Sequence, residues 1–141
     1  MLKVAEAGPL EAILHGTKNV EALGRQSPTQ VSDLMRQATF LIMPSIWFEP
    51  FGLVLIEALA HGLPVLASRL GSMVDIIEDG KTGLLFEPGN PQDLADKVQW
   101  LIEHPAECRR MGENARTVYL ANYTPEHNYQ QLLAIYGAEM R

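Results

Sequence analysis

The sequence predicts a doubly wound α/β domain: a parallel sheet with helices on both faces, then a helical extension from about Pro91 onward. Three observations carry this prediction. The hydrophobic period switches repeatedly between short apolar runs and segments with helical spacing. The short runs are apolar on both faces, as strands covered by helices on each side must be. Glycine, proline and capping residues stand at the switch points, with no repeat, low-complexity segment or long linker between them.

The strand candidates are Leu2–Ala5, Val20–Leu23, Phe40–Met43, Pro64–Ala67 and Leu84–Phe86, with the third and fourth expected inside the sheet and the first near its edge. Gly8-Pro9 makes a turn into a short helix, Leu10–His15. A helix then starts at Ser27 as cap, with Pro28 at its first position and Gln30 three residues on, and Val31, Leu34, Met35 and Ala38 share a face. Leu53–Ala60 is apolar nearly all round, which suits a helix buried in an α/β layer, and His61-Gly62-Leu63-Pro64 supplies its stop. Gly89-Asn90-Pro91 opens another helix, striped by Leu94, Val98, Leu101 and Ile102 and ended by His104-Pro105. Cys108, Met111, Ala115 and Val118 stripe the next, and Tyr129, Leu132, Leu133 and Tyr136 the last.

A chain of 141 residues is one domain or a piece of a larger one. Its 47% hydrophobic and 20% charged residues describe an ordinary globular protein, not a disordered one. Eleven Lys and Arg against seventeen Asp and Glu leave a net charge of -6 with no basic cluster, which argues against a nucleic-acid partner. The longest apolar run, Leu53–Ala60, is broken by Glu57 and far too short to span a membrane, and the amino terminus has no signal-peptide pattern. A single cysteine, Cys108, excludes an internal disulfide and fits a reducing compartment, so the expected location is cytoplasmic.

The chemistry-bearing stretch is Pro44-Ser45-Ile46-Trp47-Phe48-Glu49-Pro50-Phe51-Gly52-Leu53-Val54-Leu55-Ile56-Glu57, between an apolar strand and an apolar helix. It falls at the carboxyl end of a strand, where open α/β sheets bind ligands. The helix should begin near Phe51-Gly52, aiming its free N–H groups and positive dipole end into that crevice, a spot suited to a diphosphate. Glu49 precedes the helix and Glu57 sits near its second turn. A carboxylate there can accept two sugar hydroxyls. The bland alternatives are a charge stabilising the helix start for Glu49 and a salt bridge to a nearby Arg, such as Arg69, for Glu57.

These residues resemble the E-x7-E motif of the retaining glycosyltransferases of family 4, the group 1 glycosyl transferases with the GT-B fold. Similarity continues through Ala58–Ser68, Gly71–Phe86 and Pro88–Ala95 to Tyr123-Thr124-Pro125-Glu126 and Tyr136, covering essentially the whole chain. The resemblance implies a Rossmann-like, carboxyl-terminal domain of a GT-B enzyme, with 1–141 a partial donor-binding domain and 91–141 its helical extension. It implies a nucleotide-diphosphate-sugar donor, transferred with retention to a glycan or lipid-linked acceptor. Glu49 would face the donor sugar as the catalytic carboxylate. Phe51, Gly52 and Leu53 would offer backbone amides to sugar and phosphate, and Glu57 would hold the ribose hydroxyls. Ser45 is a further donor-contact candidate. The Gly24-Arg25-Gln26 loop would lie against the base, although its sequence is not diagnostic.

Departures from the family pattern shape the expectation. The strand and helix carrying an Arg and a Lys for the diphosphate should precede Leu2, and an amino-terminal acceptor domain should complete the cleft, so the chain reads as truncated and inactive alone. Glu6 and Ala7 stand where Gly and an acid are usual, and Asp75 where Glu is usual. His15, His61, His104 and His127 are too scattered for a metal motif, and there is no Asp-x-Asp, so neither metal nor cofactor is expected. Cys108 reads as a small buried hydrophobe, His61 as a helix-end charge, and Trp47 and Phe48 as ligand stackers or interdomain packing. The Arg109-Arg110 charges read as a solvated face, with peripheral membrane association of the full enzyme open. The competing function class is a non-catalytic nucleotide-sugar-binding or interaction module.

Overall fold

The computed structural model describes residues 1–5, 7–48 and 50–139. The elements run β1 (Leu2–Val4), α1 (Glu11–His15), β2 (Val20–Ala22), α2 (Pro28–Gln37), β3 (Leu41–Met43), α3 (Leu53–Ala60), β4 (Val65–Ser68), α4 (Ser72–Ile76), β5 (Gly83–Phe86), α5 (Pro91–Glu103), α6 (Pro105–Asn122) and α7 (Pro125–Glu139). They divide into two compact units, Met1–Gln37 and Ala38–Arg141.

In the first unit β1 and β2 pair in parallel, Leu2 opposite Val20 and Val4 opposite Ala22, with α1 as the crossover. The start of α2 follows directly from its sequence. Ser27 Oγ accepts from the Gln30 amide at 3.3 Å while Gln30 Oε1 accepts from the Ser27 amide at 2.8 Å, a reciprocal capping box ahead of Pro28.

In the second unit β3, β4 and β5 form a parallel sheet in that order, with Leu41 opposite Val65 and Val65 opposite Gly83. Right-handed crossovers place α3 and α4 on one face. On the other, Leu66 and Phe86 pack with Leu101 of α5 and with Cys108 and Met111 of α6. Val65, Leu66, Ala67 and Ser68 are all fully buried, so β4 is the centre of this unit's core. β3, expected to be interior, is an outer strand of this sheet. Apolar character on both faces reports helices above and below a strand, not a neighbour on each edge.

α3 spans the expected residues and ends in a Schellman motif: Gly62 N bonds Leu59 O and Leu63 N bonds Ala58 O, with Gly62 at φ 65°. It is less buried than its composition suggests. Leu55, Ala58 and Leu59 are buried, whereas Leu53 and Glu57 are exposed. Asn90 caps α5 by accepting from the Gln92 and Asp93 amides, with Pro91 at the first position. Leu94, Val98 and Leu101 of its predicted stripe face the core, but Ile102 is 59% exposed.

α6 runs across the amino ends of the strands. Cys108 Sγ lies 3.6 Å from the Thr39 carbonyl before β3, and Asn114 and Arg110 bond the Lys81 and Gly80 carbonyls before β5. Gly112 meets the Gly62 carbonyl before β4 so closely that a Cβ on Gly112 would overlap it. The stripe of α7, Tyr129, Leu132, Leu133 and Tyr136, is exposed. No helix among the described residues is long and apolar enough to cross a membrane.

Candidate functional site

With α6 across the amino ends of β3, β4 and β5, their carboxyl ends are where the chain turns into α3 and α4. Gly52 caps α3 at φ 65° and ψ 54°, and no side chain hydrogen-bonds as its cap. Its carbonyl accepts from the Leu55 amide at 2.9 Å. Helix geometry leaves the N–H groups of Leu53 and Val54 without an intrahelical acceptor, and the positive end of the dipole sits with them. A left-handed glycine and a run of amides is the local form that receives an anion.

The other site candidates of this unit flank that point in the chain. Ser45, two residues past β3, forms a tight turn: its hydroxyl donates to the Trp47 carbonyl at 3.1 Å and accepts from the Trp47 amide at 3.3 Å. Trp47 and Phe48 are 74% and 77% exposed, Phe51 and Leu53 are exposed as well, and the loop is therefore an apolar rim. Glu49 lies outside the described residues. Glu57 is exposed on α3, and its carboxylate makes no hydrogen bond or ion pair among the described residues. The salt bridge to Arg69 considered from sequence is not formed, because Arg69 is engaged elsewhere: its Nη2 pairs with Asp79 Oδ2 at 2.8 Å.

Gly24 and Arg25 belong to the first unit, just beyond β2. Gly24 takes φ 65° and a Cβ on it would sit 3.5 Å from Glu11 Oε1, while Arg25 is exposed. Gln26 Nε2 donates to the Leu23 carbonyl at 2.6 Å and fixes the loop locally.

Sequence reasoning missed α4 and the turn before it. Five residues are too few for a periodic signal, and Gly71-Ser72 carries a signal only within the family resemblance. The structure sets Ser72 Oγ 3.6 Å from where a Gly52 Cβ would stand, so this turn borders the amino end of α3. Ser68, at the end of β4, is fully buried, and its hydroxyl has no hydrogen-bond partner among the described residues.

Among the described residues, three groups titrate away from their ordinary values. Burial pushes Asp79 upward, but the Leu85 amide and the Arg69 guanidinium, helped by Lys97, outweigh it and hold the carboxyl below its usual range. Burial raises the Cys108 thiol against the opposing pull of Arg109, as befits an inert core residue. Burial, then the carboxylates of Asp75 and Glu78, raise Tyr123. Among the described residues no three His, Cys, Asp or Glu side chains are placed to hold a metal ion.

Comparison with known proteins agrees with this fold. A D-rhamnosyltransferase of Pseudomonas aeruginosa is 33% identical over 129 residues, covering 86% of this chain and 34% of that protein. An uncharacterized glycosyltransferase of Methanocaldococcus jannaschii is 38% identical over 104 residues, 74% of this chain and 29% of that protein. Among solved structures, the sucrose-phosphate synthase of Thermosynechococcus elongatus superposes with a TM-score of 0.86 at 27% identity, over 99% of this chain and 38% of that one. Anabaena HepE in complex with UDP-glucose superposes with a TM-score of 0.79 at 28% identity, over 87% and 34%. The chain thus spans about a third of the length of each of these four proteins. Residues 10–118 match the family described as glycosyl transferases group 1, and the chain belongs to that family, in a GT-B type of fold.

Proposed function

We propose that the chain, residues 1–141, is a partial donor-binding domain of a retaining glycosyltransferase that uses a nucleotide-diphosphate sugar. The observation that carries this reading is the amino end of α3, opened by a left-handed Gly52 with no side-chain cap beyond the carboxyl ends of a parallel sheet. The diphosphate sits against the amides of Phe51, Gly52 and Leu53, where partial positive charge is fixed in place before any ligand arrives. Exposed Glu57 accepts from both ribose hydroxyls, and Ser45 contacts the donor from its turn. Gly24 and Arg25 serve the base. Glu49 faces the reacting sugar. The ribose is remote from the bond that breaks, so the two glutamates act on different steps. Retention and the role of Glu49 rest on the family resemblance, and the UDP-glucose held by the Anabaena neighbour supports the donor class.

The acceptor, a glycan or a lipid-linked saccharide, is held by a further domain that closes the cleft. Holding acceptor and donor in line in a water-poor site is a large part of the barrier reduction, and stabilising the departing diphosphate needs cations besides a helix end. No metal or cofactor enters this scheme, and its setting is the cytoplasm, with the full enzyme able to lie on a membrane surface. The test is kinetic, in the full-length protein. Glu49→Gln lowers turnover at least about 100-fold with little change in donor KM, and Glu57→Gln raises donor KM about 10-fold with turnover largely kept. Wild-type turnover in Glu49→Gln overturns the assignment. Sugar transfer by the 141-residue chain alone overturns the need for a second domain.

A further inference from the structure

The path from β4 to the candidate donor site is held by one carboxylate. Leaving β4, the Arg69 amide donates to the Phe86 carbonyl at 2.8 Å, which carries the β4–β5 ladder one residue past the strand. The Leu70 amide then turns back onto the Ser68 carbonyl at 2.8 Å. Gly71 adopts φ 55° and ψ −140°, a conformation essentially reserved for glycine, and Ser72 opens α4 beside Gly52. Two residues before Gly71 in the chain, the Arg69 side chain is held by Asp79.

Asp79 lies alongside the start of β5, bridged in parallel to Gly83. Its Oδ1 accepts from the Leu85 amide at 2.9 Å and its Oδ2 from Arg69 Nη2 at 2.8 Å. One group therefore ties β5, the loop before it and the exit from β4 into a single unit. The Arg69 and Asp79 side chains are 48% and 41% exposed, so as an ion pair alone they would add little to stability. Their value is geometric: the Arg69 cation meets, through Nη2, a carboxylate already fixed by a backbone amide.

We propose that Asp79 is a positioning residue of the donor site: through Arg69 it sets the Gly71-Ser72 turn beside the amino end of α3, and so shapes the pocket for the nucleoside diphosphate. This rests on the donor-site reading above. Asp79 acts through Arg69 and touches no reacting atom.

The test uses this chain, with UDP as the probe in calorimetry and amide spectra recorded without ligand. Asp79→Asn keeps an oxygen for the Leu85 amide but removes the charge; Arg69→Met removes the other partner. Each should weaken UDP binding about fivefold and shift the Gly71 and Ser72 amide signals, with the chain still folded by its melting curve. Arg69→Lys should recover most of the affinity, and the double variant should bind no more weakly than either single one. Parental UDP affinity in both single variants overturns the proposal, as do losses that simply multiply in the double variant. If Asp79→Asn fails to fold, Arg69→Met gives the same reading. If the parent chain binds none of UDP, GDP and ADP, the donor-site reading itself fails and this role falls with it.

Discussion

Gly52 holds φ 65° at the start of α3, and a Cβ there would stand 2.9 Å from Leu55 Cδ1. Gly52→Ala should therefore cost about 1–2 kcal/mol in a denaturant melt, the penalty of a left-handed L-residue, and weaken UDP binding as well. Ser68 makes the opposite case. Its hydroxyl is buried without a partner among the described residues, so Ser68→Ala should leave stability unchanged or raise it by up to about 1 kcal/mol. A loss larger than that would mean the hydroxyl is engaged. The glycine's importance is legible from its place between strand and helix. The serine's is not, because the apolar run Pro64–Ala67 stops one residue short of it and an alternating β position carries no mark of what lies opposite. Glu57 is legible as an exposed acid in an apolar helix, yet its suggested partner Arg69 pairs with Asp79, ten residues along the chain. Periodicity does not reveal which of several nearby acids a surface arginine selects.

Elements with a local chemical signature emerge from the sequence nearly intact. The capping box of α2, the Schellman stop of α3 and the Asn90 cap of α5 are each set by residues within one turn, and all three form. Features that depend on distant packing do not follow. β3 is an outer strand, Ile102 points outward, and the apolar stripe of α7 is exposed. The loop between α4 and β5 shows a distant effect with a measurable pH signature. The Asp79 carboxyl is held below its ordinary 3.8 in the folded chain. Its ionised form is therefore favoured by folding, and that contribution is present in full above the unfolded value and lost as pH falls through the folded one. The gap in melting temperature between the parent and Asp79→Asn should be widest near neutrality and close as pH falls below about 4. A gap independent of pH would show that the charge plays no part. Helix packing offers a second test. Gly112 is seated on the Gly62 carbonyl, and Pro64 Cδ lies 3.4 Å from where a Cβ on Gly112 would stand. Gly112→Ala should therefore destabilise the second unit by about 1–3 kcal/mol.

Across the whole molecule, the order of elements matters more than any one of them. Three parallel strands with α6 along their amino ends direct the turns into α3 and α4 to the opposite edge, the side on which α/β sheets bind ligands. The period switches are enough to predict that architecture, since β4, β5 and most of the long helices bury the face their pattern specifies, whereas β1 and β2 stay exposed or half-buried. The division at Gln37 is not readable, because nothing in composition changes there. If the start of α3 receives a nucleoside diphosphate, an isotope-edited titration of this chain with UDP, GDP and ADP will show it. At least one of them should move the amide signals of Phe51, Gly52 and Leu53 most, in a saturable way. Saturable shifts centred elsewhere, with those three amides unmoved, would contradict it.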